Sequence, residues 1–106
     1  MSRLPVATGY EQLSAVLDEA LAQAQSGKGK ERHATGQPFH EQPIVRIAEL
    51  LGSDSGDLFQ AIKKLQESTR LPVDRAIAER LGAINYIAAS ILVLRAQDDA
   101  DRTRRG

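Results

Sequence analysis

Ala83-Ile84-Asn85-Tyr86-Ile87-Ala88-Ala89-Ser90-Ile91-Leu92-Val93-Leu94 is the stretch whose reading decides the fold. Its only polar side chains are Asn85, Tyr86 and Ser90. It lies in the second half of a helix predicted from Arg75 to about Gln97, broken off from the preceding chain by Pro72 and capped by Asp74. The first half is amphipathic. Ala76, Ile77, Leu81 and Ile84 are expected inward, with Arg75, Glu79 and Arg80 outward. A helix apolar on every side is buried on every side. One small domain has too few elements to cover all faces of this segment, so the remaining face is expected to meet a second copy of the chain. The small residues Ala83, Ala88, Ala89 and Ser90 suit such close helix contact.

Three more helices are predicted upstream. Thr8 and Glu11 have capping-box spacing, and Leu13, Val16, Leu17, Ala20, Leu21 and Ala24 form a helical stripe from about Gly9 to Gln25, ended by Gly27. Pro43 opens a second helix at the position proline prefers, apolar through Ile44, Val45, Ile47, Ala48, Leu50 and Leu51, and Gly52 closes it. Ser53, Ser55 and Asp57 offer N-caps for a third helix running to about Arg70. Leu58, Phe59, Ile62 and Leu65 are expected inward, with Lys63, Lys64 and Glu67 on a solvated face. The expected fold is all-α: a compact protomer of about four helices, with a long irregular loop after helix one, assembled as a homo-oligomer. Residues 1–97 form the single domain. Residues 98–106, charged and nearly without apolar side chains, are expected to be a disordered tail.

The irregular segment runs from Gly27 to Pro43 and has neither helical nor strand period. Long loops are usually functional or disordered. This one holds Lys28, Lys30, Arg32 and both histidines of the chain, His33 and His40. Glycines flanking lysines let backbone amides approach an anion while the side chains supply charge. The same composition also serves a solvated surface loop. Tyr10 lies off the helix-one stripe, either packing on a neighbouring helix end or offering a flat face for a base.

Composition sets bounds on function. The chain has 106 residues, 42% hydrophobic and only 4% aromatic, so the core must be aliphatic and alanine-rich. Its formal net charge of zero argues against a general DNA-coating protein. There is no cysteine, hence no disulfide framework or thiolate chemistry. No secretory leader is visible and no uninterrupted apolar run reaches the length of a bilayer span, so a cytoplasmic protein with no membrane partner is expected.

No catalytic residues are expected. His33 and His40 lack the spacing of a metal site, and no serine stands in a nucleophile elbow. An all-α metal-dependent nucleotide pyrophosphohydrolase is the alternative. That chemistry needs clustered acids, and Glu19, Glu49, Glu67 and Glu79 stand one per helix. The reading is therefore of binding without turnover, with no metal or cofactor: a phosphate-containing ligand carrying bases, such as a small cyclic nucleotide.

Several blocks carry a family resemblance: Gly27-Lys28-Gly29-Lys30-Glu31-Arg32-His33-Ala34, Pro38-Phe39-His40-Glu41-Gln42-Pro43-Ile44, Ala61-Ile62-Lys63-Lys64-Leu65-Gln66-Glu67-Ser68, Asp74-Arg75-Ala76 and Leu81-Gly82-Ala83-Ile84-Asn85-Tyr86. Together, over roughly residues 8–96, they resemble the phage anti-CBASS sponges, which sequester the cyclic oligonucleotide signals of bacterial defence. The resemblance implies a hexamer, a trimer of dimers. It implies cyclic dinucleotides in one set of pockets and cyclic trinucleotides in another, without cleavage. By the same resemblance, Tyr10 stacks on bases, Lys28 or Lys30 contacts phosphate, and Arg70 and Arg75 serve the trinucleotide pocket. Arg32 and His33 either touch ligand or fix the loop, Arg32 then pairing with Glu31. The resemblance also places the protein in the host cell cytoplasm.

Overall fold

The computed structural model describes residues 5–26 and 38–105. The irregular segment from residue 27 to residue 37, with Lys28, Lys30, Arg32 and His33, lies outside the described residues. The fold is all-α, and no strand occurs among the described residues. Helix α1 spans Glu11–Ser26. A single 3-10 turn, Phe39–Glu41, leads into α2, Pro43–Leu51. Helix α3 spans Ser55–Ser68 and α4 spans Val73–Arg105.

Local chemistry explains the element ends. Gly9 has φ +93, a backbone region that side-chain-bearing residues rarely adopt, and its amide donates to the Glu11 carboxylate at 2.9 Å. The carboxylate thus reaches back to Gly9 rather than closing the expected box with Thr8. Pro43 opens α2, and Gly52 closes it in the left-handed region at φ +68, its amide directed at the carbonyls of Ala48 and Glu49. The α3–α4 corner is tight. The amides of Thr69, Arg70 and Leu71 donate to the carbonyls of Gln66, Glu67 and Ser68, and Pro72 supplies the carbonyl that accepts from Ala76.

Helix α4 is the spine, and its neighbours pack along it in sequence of contact. The amide of Gln23 on α1 donates to the Ala78 carbonyl at 2.9 Å, and the Asn85 amide donates back to the Ala20 carbonyl at 3.0 Å. Rising residue number on α1 meets falling residue number on α4, so the two run antiparallel. Helix α3 is turned back along α4 by the short corner between Ser68 and Val73, and Lys64 bonds Glu79 and Ser68 bonds Arg80 across the pair. Helix α2 packs further along. Val45 and Ala48 meet Ala89 and Val93, with Phe39, Ile44 and Leu92 around them.

The buried set is small in size. Ala20, Val45, Ala48, Ala61, Ala83, Ala89 and Val93 make the apolar core. The small residues of α4 therefore serve contacts within the protomer: Ala83, Ala89 and Ser90 are all buried there, and only Ala88 of the expected set is exposed. The large residues lie outside. On α1, Leu13, Val16, Leu17 and Leu21 are exposed, and on α4 so are Ile77, Ile87, Ile91 and Leu94.

Helix α3 is inverted relative to expectation. Leu58, Phe59, Ile62 and Leu65 face away from the core, and the inward stripe is Asp57, Ala61, Lys64 and Ser68. Short side chains at Ala61 and Ser68 let α3 approach α4, and the polar groups of Lys64 and Ser68 find partners there. Lys64 and Glu79, both expected on solvated faces, are thus partly buried partners.

Residues 98–105, where composition predicts disorder, continue α4. Extending an existing helix avoids the cost of nucleation. Arg102 pairs with Asp98 at 3.1 Å and Arg104 with Asp101 at 2.9 Å, both at spacings that support a helix. By length and composition alone α4 is apolar enough to cross a membrane. Its Glu79 and Arg80 are bonded to α3, and α1, α2 and α3 all pack against it.

Val93→Ala should cost about 2 kcal/mol, because it deletes buried methyl groups at the contact of α2 with α4. Denaturant unfolding at fixed protein concentration measures this, and a loss near zero would remove Val93 from the core.

Candidate functional site

Tyr10 stands directly before α1. Its amide donates to the Ala7 carbonyl at 3.1 Å and its carbonyl accepts from Ser14 at 3.0 Å, so its backbone is held on both sides. The side chain is 60% exposed. A fixed backbone with an uncovered ring is what base stacking requires. Arg70 lies in the α3–α4 corner and Arg75 in the first turn of α4, both exposed, and neither has an ion-pair partner among the described residues.

These positions do not come together in one protomer. Tyr10 is ten residues before Ala20 on α1, and Arg75 is ten residues before Asn85 on α4. The helices are antiparallel through the Ala20–Asn85 contact. Each therefore lies about 15 Å from that contact, in opposite directions. Tyr10 and the Arg70–Arg75 corner belong to two separate surfaces.

A polar junction that sequence reasoning missed occupies the meeting of α1, α3 and α4. The Lys64 side chain, 20% exposed, crosses the face of Gly82. Its ammonium lies 3.3 Å from the Glu79 carboxylate and 5.8 Å from the centre of the Tyr86 ring, within cation–π range. A Cβ on Gly82 would meet Lys64 Cδ at 3.3 Å and Gln23 Oε1 at 3.4 Å. Beside it, Arg80 donates to Ser68 Oγ at 3.1 Å, and that hydroxyl donates to the Leu65 carbonyl. With its charge matched by Glu79, Lys64 acts as a strut. The one signal in the sequence was a glycine in mid-helix.

Asp57, one of three residues that offered a cap for this helix, is instead only 6% exposed, and its Oδ2 has no hydrogen-bond partner. Burial, and secondarily the Asp54 carboxylate, raise its pKa to about 6. Below that pH the folded chain holds a proton that the unfolded chain releases near 3.8. Stability therefore falls as pH rises through the window from about 4 to about 6.

His40 is exposed, with Nε2 3.8 Å from the Glu41 carboxylate. Glu49 lies 3.7 Å from Arg46, and Glu79 is held by Lys64. Among the described residues no group of three or more His, Asp or Glu side chains is gathered to share a metal ion. No protein-family model, curated protein or solved structure matches the chain.

Gly82→Val should destabilise the protein by about 1–3 kcal/mol, by forcing Lys64 and Gln23 aside at this junction. Thermal melts compare the variant with the wild type, and an unchanged midpoint would mean the junction yields freely.

Proposed function

We propose that the chain binds and sequesters cyclic oligonucleotides without cleaving them, as a homo-oligomer in the cytoplasm of a bacterial host, and so silences anti-phage CBASS signalling. Cyclic dinucleotides are the primary ligands, with cyclic trinucleotides at a second set of pockets. The observation that carries this reading is Tyr10, an aromatic ring left uncovered on a fixed backbone at one end of α1. The other end of α1 leads directly into the lysine-rich segment that begins at Gly27.

Those two ends lie about 24 Å apart, because α1 has 16 residues. Two copies with antiparallel α1 helices would bring Tyr10 of one beside the end of α1 of the other, where the segment holding Lys28 and Lys30 begins. A cyclic dinucleotide has two phosphates and two-fold shape, so a two-fold interface presents each half with the same groups. The exposed α1 stripe of Leu13, Val16, Leu17 and Leu21 is suited to that contact. Arg70 and Arg75, on the distant corner, suit the trinucleotide pocket that the sponge resemblance implies.

A second face asks for cover. Ile47, Leu50 and Leu51 on α2 and Leu58, Phe59, Ile62 and Leu65 on α3 are 42–83% exposed. At roughly 200 Å² per large apolar side chain, they leave on the order of 850 Å² of apolar surface uncovered. That matches what one partner brings to a standard interface. Two distinct self-contacts, one through α1 and one through α2 and α3, are what a trimer of dimers needs.

Thermal shift with a panel of cyclic di- and trinucleotides, without added metal, tests the proposal. A rise in melting temperature with ligand recovered intact supports it. Magnesium-dependent pyrophosphate release from a nucleotide panel would replace it with the pyrophosphohydrolase reading. Tyr10→Ala should weaken cyclic dinucleotide binding by about 1–3 kcal/mol at unchanged oligomer mass, and retained affinity by calorimetry would exclude stacking at this position. Ile62→Glu, on the outer side of α3, should lower the mass seen by light scattering while circular dichroism stays helical. An unchanged mass would exclude this face from the assembly.

A further inference from the structure

Of the five α3 positions that are buried or half-buried, Asp57, Gln60, Ala61, Lys64 and Ser68, only Ala61 is apolar. Lys64 is matched by Glu79 and Ser68 by Arg80, whereas Asp57 Oδ2 is buried without a partner. The turned-back course of α3 places Asp57 against the apolar part of α4. Ser68 meets Arg80 and Lys64 meets Glu79, Gly82 and Tyr86, so Asp57, two turns further from the α3–α4 corner than Lys64, extrapolates to the part of α4 beyond Tyr86, about residues 89–93. That segment, Ala89 to Val93, has no titratable side chain. On α2, the nearest charges, Arg46 and Glu49, are engaged with each other. Lys64 is engaged two turns along α3, and Arg95 lies beyond the facing segment, exposed. Among the described residues, the charge that bears on Asp57 is Asp54, of the same sign.

A carboxylate held in apolar surroundings beside a like charge is unfavourable, and a neutral carboxyl is not. The flanking residues can yield. Ser55, Gly56 and Leu58 are exposed, and Gly56 has no atom within 4 Å of the place a Cβ would take. We infer that the first turn of α3 is a proton-operated latch: docked on α4 while the Asp57 carboxyl is protonated, and released when it ionises. Leu58 and Phe59 leave the opposite side of the same turn. The latch thus also governs how that part of the outer apolar face is presented. The inference stands on the α3–α4 contact alone and is independent of any ligand.

The test uses the full chain without nucleotide. Wild type and Asp57→Asn are melted between pH 5 and pH 8. The wild-type midpoint should fall by several degrees as pH rises, and Asp57→Asn should lose that fall and melt above the wild type at pH 7.5. Comparison at each pH separates Asp57 from His33 and His40. Carboxyl-carbon NMR on the wild type reads the group directly, whether or not the variant folds. Asp57 should titrate near pH 6, with its midpoint lowered in Asp54→Asn. Amide protection of Leu58, which donates to the Asp54 carbonyl, and of Phe59, corrected for intrinsic exchange, should weaken above that midpoint. Titration near pH 4, protection independent of ionisation, or equal pH dependence in wild type and Asp57→Asn would each overturn the latch.

Discussion

Close approach to α4 is the constraint on which the rest of the structure depends. Where α1, α2 and α3 meet this helix, most of the buried residues are short: Ala20, Ala48, Ala61, Gly82, Ala83, Ala89 and Ser90, with Val45 and Val93 the larger ones. Short side chains bring backbones together and allow side chains to bond directly to main chain, as Asn85 does to Ala20 and Gln23 to Ala78. They also bury little area each, so the apolar gain per contact is modest. The protomer is consequently held by a dense but thin seam along one helix. Its larger hydrophobic residues are left to the periphery.

That division explains what was legible in the sequence. The existence and order of the four helices followed from periodicity, from Pro43 and Pro72 and from Gly52, because these act locally. Which face of each helix turns inward did not follow. On α3 both stripes have helical spacing, and hydrophobicity alone selects Leu58, Phe59, Ile62 and Leu65. The seam on α4 selects instead the narrow stripe of Asp57, Ala61, Lys64 and Ser68. Hydrophobic pattern reports the sum of all burial, within the chain and against other surfaces, and does not separate the two.

For the residues singled out for binding, exposure was legible and mutual placement was not. Tyr10 is exposed on an ordered backbone, as its position off the helix-one stripe allowed. The separation of Tyr10 from Arg70 and Arg75 was not legible, because it depends on the antiparallel docking of α1 on α4. Lys64 was read as solvated, since an inter-helix partner such as Glu79, 15 residues away, leaves no mark in local spacing. Asp57 was read as a cap for the same reason: capping chemistry and burial draw on the same residue types at a helix start.

The last two turns of α4 have an experimental use of their own. Residues 98–105 project about 12 Å of helix with every side chain exposed and with acidic and basic residues paired along the same rod. A fluorophore placed at Arg105 would therefore be carried on a stiff arm continuous with the spine. Its polarisation would follow the tumbling of the whole particle, so slow rotation of the dye would report particle size directly, at concentrations too low for scattering.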